Sequence, residues 1–312
     1  MGNYNNLNIL IIGGSGQVGS EITKNPQNKD FKLHFPKSSE LDLASKNSII
    51  NYLNKFTPDL VINLGAYTKV DKAEEEKDRC SLINSFGPKI LAEEAKKREI
   101  GLIHISTDYV FGKDSSGPYD CENKKDPINY YGQTKAEGED NVLETYSKSL
   151  VIRLSSVFSN YGDNFVKSIL RSIIKNDKTK VVSDQKISLT SASDFSNNMI
   201  PIIKLYYEDF FNNKNKCRIL HFASFNYTDW YSVSKIILKE VNLMYDSFKD
   251  HEIEPILLKD WKSIALRSND TRLIINENYL GYNDIKLSKW EEAVRNVVRK
   301  SLPEIIKELE NG

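Results

Sequence analysis

Tyr131 and Lys135 stand four residues apart in the stretch Asn129-Tyr130-Tyr131-Gly132-Gln133-Thr134-Lys135. On a helix that spacing puts both side chains on one face. An ammonium beside a phenol stabilises the phenolate and draws the phenol's pKa towards working pH. Such a pair can pass a proton to or from a carbonyl or alcohol. The spacing often arises by chance, but two other stretches give it weight. One is a glycine-rich turn near the start of the chain, and the other is an apolar run ending Ser106-Thr107-Asp108-Tyr109.

The turn reads Gly13-Gly14-Ser15-Gly16-Gln17-Val18-Gly19 and follows the apolar residues 7–12 directly. Glycine at 13, 16 and 19 permits a tight turn and lets a pyrophosphate approach backbone N–H groups at a helix start, where the helix dipole is positive. After the first strand of a βαβ series this pattern predicts a dinucleotide site. The end of the second strand bears on which dinucleotide. An NAD site usually has an acid there for the ribose hydroxyls. Here the chain reads Phe35-Pro36-Lys37-Ser38-Ser39, with no acid and with a lysine and two hydroxyls that suit a 2′-phosphate. NADPH is favoured over NADH on that ground; a plain solvated Lys37 is the competing reading.

The elements that must position these groups follow from periodicity. Residues 7–12, 32–35, 60–63, 101–106 and 150–153 read as apolar strands, separated by amphipathic stretches such as 83–98 and 135–146. Strands apolar on both faces with helices between them predict a doubly wound parallel α/β sheet of Rossmann type. Beyond residue 154 the pattern loosens. Helices are expected over 164–175, 194–211, 229–245, 290–299 and 303–309, with a strand at 219–222. The expected organisation is a dinucleotide-binding domain over 1–154 and a smaller, interleaved substrate lobe over 155–312, some of whose segments return to the sheet. The polar stretch 113–126 reads as a long loop of the kind that often carries function.

Composition narrows the classes. The 312 residues carry 43 Lys plus Arg against 43 Asp plus Glu, a net charge of zero, which argues against a nucleic-acid or membrane partner held by a basic excess. With 39% hydrophobic and 28% charged residues the chain reads as a globular protein with a sizeable core. No apolar run approaches a membrane span, and no basic, apolar leader opens the chain, so a cytoplasmic location is expected. Cys80, Cys121 and Cys217 are widely spaced, and His34, His104, His221 and His251 show no ligand spacing, so neither disulfides nor a metal are expected. His104, inside an apolar run, reads as a packed strand histidine. Glu74-Glu75-Glu76 reads as a solvated helix face. Trp230 and Trp290 read as core, with Trp261 left open. The sequence does not set the oligomeric state; a homodimer is compatible with it.

The segments GGSGQVG, NLGAYTKVDKAE, STDYVFG, YYGQTK and RLSSVFS together resemble the extended short-chain dehydrogenase/reductases and, within them, the branch of dTDP-4-dehydrorhamnose reductases. The likeness is dense through residue 165 and sparser beyond, where DQKISLTSASDF matches best. It implies NADPH-dependent reduction of the C4 ketone of a nucleotide-linked 4-keto-6-deoxyhexose. Tyr131 would donate the proton, Lys135 would hold the nicotinamide ribose, and Thr107 would assist at the C4 oxygen. Asp108 would touch the sugar. Gly16, Gln17 and Val18 would line the pyrophosphate, Asp42 and Leu43 would flank the adenine, and Gly65, Ala66 and Thr68 would pass beside the cofactor. Asn84 falls where the family often has asparagine.

The resemblance also sets rival readings. A dehydratase of this family would have Glu where Tyr109 stands, and a 4-epimerase a small residue at Asp108. The family also includes a regulatory subunit, the β subunit of methionine adenosyltransferase, which intact Thr107, Tyr131 and Lys135 disfavour here. Three positions depart from the rhamnose branch: Ser156 replaces a sugar-packing tryptophan, Leu189 precedes Thr190 in place of proline, and Ser268 follows Arg267 in place of proline. Ser156 and Arg267 are therefore expected at the substrate, and the altered pocket keeps a different sugar nucleotide in play.

Overall fold

The structure is a computed structural model and describes residues 6–113, 117–211, 218–277, 280 and 284–310. Cys217, residues 114–116 of the polar loop, and Met1 and Gly2 lie outside the described residues. The strands are β1 Asn8–Ile12, β2 Lys32–His34, β3 Leu60–Asn63, β4 Gly101–Thr107, β5 Ser149–Leu154, β6 Val157–Phe158, β7 Lys178–Val182, β8 Lys186–Ile187, β9 Thr190–Ser191, β10 Ile219–His221, β11 Thr228–Asp229 and β12 Glu252–Ile256. The helices are α1 Gln17–Lys24, α2 Lys46–Lys55, α3 Val70–Ala73, α4 Lys77–Ser81, α5 Gly87–Arg98, α6 Tyr130–Thr145, α7 Phe165–Lys175, α8 Ala192–Asn197, α9 Met199–Leu205, α10 Trp230–Met244 and α11 Trp290–Glu310.

A six-stranded sheet in the order β10-β5-β4-β3-β1-β2 forms the centre, parallel throughout. This is the doubly wound sheet that the apolar strand runs predict. Alternate residues of each strand enter opposite layers, as a two-residue period requires. Ile9, Ile11 and Ile103 pack towards α1, α8 and α9, whereas Leu10, Val61 and Leu102 pack towards α2, α5 and α6. Each fully buried Ile or Leu contributes about 1.5–3 kcal/mol relative to an exposed one.

The register brings Ile12, Asn63, Thr107 and Leu154 to the carboxyl ends of β1, β3, β4 and β5. Ligands bind at that edge of a doubly wound sheet. A second core lies in the later half, where α7, α10 and α11 pack together and β7 pairs in parallel with β12. The chain passes between the two cores more than once: β10 returns to the central sheet beside β5 before α10 joins the second core.

Several expectations differ in detail. The helix expected over 194–211 breaks at Asn198, whose side-chain Nδ2 donates to Asp194 O and Lys286 O, each at 2.7 Å, and thereby competes with the helical backbone. Conversely, α11 runs unbroken through Pro303, where two helices are expected. Proline removes one intrahelical bond there. Val294, Val298, Leu302 and Ile305 form one continuous buried face that holds both halves in line.

The Glu74–Glu76 run is not simply a solvated face, because Glu74 Oε1 accepts the Tyr130 backbone N–H at 2.8 Å at the start of α6. The polar loop is tied down rather than free: Tyr119 N donates to Arg272 O at 2.8 Å and Arg272 Nη2 donates to Gly117 O at 2.9 Å. Its described residues line neither cavity described below. Among the described residues no helix is long and apolar enough to cross a membrane, and no cluster of His, Cys, Asp or Glu could hold a metal ion.

Candidate active site

A cleft of about 580 Å³ opens at the carboxyl edge of the sheet, and the glycine turn forms one end of it. Gly13 has φ +87°, and a Cβ there would lie 2.8 Å from Gly65 N. A Cβ on Gly19 would lie 2.5 Å from Gly14 Cα and 2.6 Å from Gly13 O. The turn thus closes tightly on its own helix. Gly16 is the N-cap of α1 and offers no side-chain cap, and no acid occupies the first helical turn. The first N–H groups of α1, with no partner inside the helix, are available to an anion. A dinucleotide pyrophosphate fits this cradle.

Gly13, Gly16, Gln17, Val18 and Gly19 line this end of the cleft, and Gly65, Ala66 and Thr68 line its flank. Thr107, Asp108, Tyr131, Lys135 and Ser156 line the other end. The structure therefore brings together groups spread over more than a hundred residues of chain. Lys37, Asp42 and Leu43 do not line the cleft. Lys37 is exposed on the turn beyond β2, where its backbone N–H meets Glu40 Oε2 at 2.8 Å. Asp42 is exposed and accepts the Ala44 N–H at 2.9 Å. Leu43 is buried, with its Cδ1 2.6 Å from where a Cβ on Gly65 would sit, so it backs the loop beside the cleft.

The side chains at this other end are largely buried and densely hydrogen-bonded. Tyr131 and Lys135 open α6, whose N-cap Asn129 accepts the Gly132 N–H at 2.8 Å. Thr107 donates its hydroxyl to Asp108 Oδ1 at 3.0 Å, and Ser155 donates to Asp108 Oδ2 at 2.7 Å. Burial pushes the Asp108 carboxyl up against the opposing pull of these hydroxyls and that of Thr271. Burial also pushes the Tyr131 phenol well above its ordinary value, with a hydrogen bond to Thr107 pulling the other way.

Lys135 is 2% exposed. Its Nζ donates to Ile105 O at 2.7 Å and sits 3.4 Å from His104 Nε2. Burial lowers its pKa to about 8, with Glu139 opposing. The ammonium is thus engaged with the sheet, and Tyr131 stays a neutral phenol. That is the protonation state a proton donor needs, and it departs from the phenolate that the Tyr–Lys spacing suggests.

A second cavity, of about 500 Å³, meets the cleft at Tyr109 and runs into the later lobe. Phe165 and Trp230 form part of its wall, with ring centroids 4.3 Å apart, and Trp261 lies at its exposed side. Trp230 packs against the second core, as expected, and also walls this cavity, whereas Trp290 is buried within that core. Arg267 lines this cavity rather than the cleft, and both its terminal nitrogens pair with the Asp71 carboxylate at 3.1 Å. Ser156 stands in the cleft wall with φ +44°, a conformation rare outside glycine.

The profile of the RmlD substrate binding domain family matches residues 7–302. The chain belongs to the RmlD family. One RmlD relative is the dTDP-4-dehydrorhamnose reductase of Aggregatibacter actinomycetemcomitans, 31% identical over 93% of this chain and 97% of its own. Among solved structures, the dTDP-4-dehydrorhamnose reductase of Bacillus anthracis in complex with NADP is 26% identical. It superposes with a TM-score of 0.81 over 94% of this chain and 98% of its own. That of Yersinia enterocolitica, also 26% identical, reaches 0.83 over 94% and 99%. The likeness thus spans both cores.

Within this RmlD fold several site residues escape sequence reading. Ser155 and Thr271 hold Asp108, and Gly162 and Asp163 close the cleft opposite the glycine turn. Small polar residues in loops carry no periodic signal; Ser155 follows β5 directly and its backbone N–H donates to Thr190 Oγ1 at 3.0 Å, which brings its hydroxyl to Asp108. Asn84 supports the site from behind, accepting the Tyr67 N–H at 2.8 Å and donating to Thr134 Oγ1 at 3.3 Å.

Proposed function

We propose that this chain reduces the C4 ketone of a nucleotide-linked 4-keto-6-deoxyhexose, foremost dTDP-4-dehydrorhamnose to dTDP-L-rhamnose, with NADPH as the reductant. The observation that carries this reading is that Thr107, Tyr131 and Lys135 line the same cleft as the glycine turn. When bound, NADPH supplies a hydride to the carbonyl carbon. Gly13, Gly16, Gln17, Val18 and Gly19 would hold its pyrophosphate, with Gly65, Ala66 and Thr68 alongside and Lys135 at the ribose.

Tyr131, a neutral phenol, gives its proton to the developing C4 alkoxide. Thr107 hydrogen-bonds the Tyr131 hydroxyl and orients it. Asp108, fixed by Ser155 and Thr107, accepts a sugar hydroxyl. The second cavity, with Trp230, Trp261 and Arg267, takes the nucleoside diphosphate end; its size and its meeting with the cleft at Tyr109 support that assignment. The exposed Lys37 would meet the 2′-phosphate, a reading supported by the lack of an acid among residues 35–39, directly after β2. The division into a cofactor domain over 1–154 and a substrate lobe over 155–312 belongs to the same proposal. So do a cytoplasmic location and a homodimer, tested by cell fractionation and sedimentation.

The test is NADPH consumption with dTDP-4-dehydrorhamnose generated in situ, with product stereochemistry read by NMR. Formation of dTDP-L-rhamnose is expected. Folded protein that binds NADPH but leaves this and related 4-keto sugar nucleotides unreduced would overturn the proposal and favour a regulatory subunit.

A further inference from the structure

Behind Lys135 lies a buried hydrogen-bond chain that the proposed chemistry leaves unused. Asn63 on β3 and His104 on β4 are direct register partners, and both are fully buried. Gly65 N donates to Asn63 Oδ1 at 3.1 Å. That contact fixes which way the amide points, so Asn63 Nδ2 faces His104 Nδ1 at 3.1 Å and donates to it. With Nδ1 an acceptor, the neutral imidazole carries its proton on Nε2. Nε2 in turn faces Lys135 Nζ at 3.4 Å. An ammonium has three donors and no acceptor, so it gains nothing from an N–H aimed at it, whereas an uncharged amine accepts from that N–H.

We infer that His104 is a positioning residue for Lys135: its Nε2–H, aimed by Asn63, favours the uncharged amine and ties its place to the Gly65 loop on the cofactor side of the cleft. The imidazole does not carry the proton itself, since burial and then the Lys135 charge hold its pKa well below the ordinary value. Two other groups face Lys135. Glu139, one turn along α6, pulls the lysine pKa up but is itself held by Arg153. The Cys80 thiol of α4 would pull it up only as a thiolate, and burial raises that thiol's pKa and so disfavours the charged form. Burial supplies the downward push on Lys135, and in this inference the His104 N–H adds to it. Because Asn63 bonds both the Gly65 backbone and the imidazole, a shift of that loop on dinucleotide binding would reach Lys135 through three hydrogen bonds.

The kinetic half of this inference rests on the proposed reductase activity; the tautomer does not. Nitrogen NMR of the wild-type protein, with the His104 signal assigned by its loss in His104→Gln, should show a neutral ring protonated at Nε2 across neutral and mildly alkaline pH. A ring protonated at Nδ1, or one that titrates there, overturns the inference whatever the enzyme does. In His104→Phe the alkaline limb of the kcat/KM profile should move up by about one pH unit, the worth of one lost hydrogen bond. His104→Gln should restore part of the shift, and NADPH binding read by fluorescence should weaken less than kcat falls. A uniform drop in activity with the limb unmoved would mean that His104 only fills space.

Discussion

Arg153 on β5 and Glu139 on α6 form a two-pronged ion pair: Nε and Nη2 donate to separate carboxylate oxygens at 2.8 and 2.7 Å. Both side chains are at most 1% exposed. Arg153 also lies over the Phe111 ring, 4.8 Å from its centroid. The pair clamps α6 to the sheet four residues beyond Lys135. Arg153→Ala should lower unfolding free energy by about 3–5 kcal/mol, because it strands a buried carboxylate, and urea denaturation would measure it. Burial raises the Glu139 pKa, but Arg153 and Lys125 outweigh it and the net shift is downward. The pair's contribution is therefore complete above the ordinary glutamate pKa and lost as pH falls through the depressed one. Wild type should lose stability across that acid window, and Arg153→Ala should lose less there.

Tyr131→Phe removes the proposed proton donor while keeping the ring, which packs edge-on to Tyr109 with centroids 5.4 Å apart. Turnover should fall by about 10²–10⁴-fold, with NADPH affinity and Tm nearly unchanged. In the wild type the phenol is held above its usual range and Lys135 at about 8, so the rate should decline as pH rises through about 8, when the lysine loses its charge. Steady-state kinetics across pH would check this: a limb appearing only near the ordinary phenol value of about 10 would mean that the lysine charge does not control the rate.

Gly19→Ala and Gly16→Ala make a paired test of the phosphate cradle. The new methyl at 19 meets only backbone, at 2.5–2.6 Å, so the turn must open. At 16 the nearest atom, Gly13 O, is 3.3 Å away, which a small adjustment absorbs. NADPH dissociation constants should rise by about tenfold or more for the first (1.4 kcal/mol) and by much less for the second. Fluorescence titration would show it, and equal effects would remove the turn from the site.

Arg267→Ala should separate binding from stability. Its pair with Asp71 is partly exposed, so unfolding free energy should change by no more than about 1 kcal/mol. If the guanidinium meets the diphosphate of the substrate, KM should rise by about tenfold with kcat kept. An unchanged KM would leave Arg267 only a tie from its loop to Asp71 of α3.

The parts of this molecule readable from its sequence are those with a period or a spacing. Ile9 to Ile12, Leu60 to Asn63 and Leu150 to Arg153 announce a parallel sheet because a strand covered on both faces is apolar throughout. The glycine turn and the Tyr131–Lys135 pair announce themselves because their chemistry fixes their spacing. Lys37, Asp42 and Leu43 show the limit. Their placement at the cofactor follows from strand order and family resemblance, and none of them lines the cleft in the structure. Arg267, Ser155 and Thr271 reach the site through loop geometry, which depends on contacts between segments far apart in the chain. Pro303 misleads in the other direction, since local propensity gives way there to a long buried face.

The return of β10 to the sheet has a consequence for how the protein is made. Until residues 219–221 have left the ribosome, β5 is an open edge of Leu150, Val151, Ile152 and Leu154, offering unpaired backbone to any neighbouring chain. The first half of the chain can therefore collapse early but cannot finish its sheet until more than seven-tenths of the chain is synthesised, a delay in which nascent chains are exposed to aggregation. Expressing residues 1–154 alone should therefore yield insoluble material, since that piece lacks both β10 and the α8 and α9 helices that cover one face of the sheet.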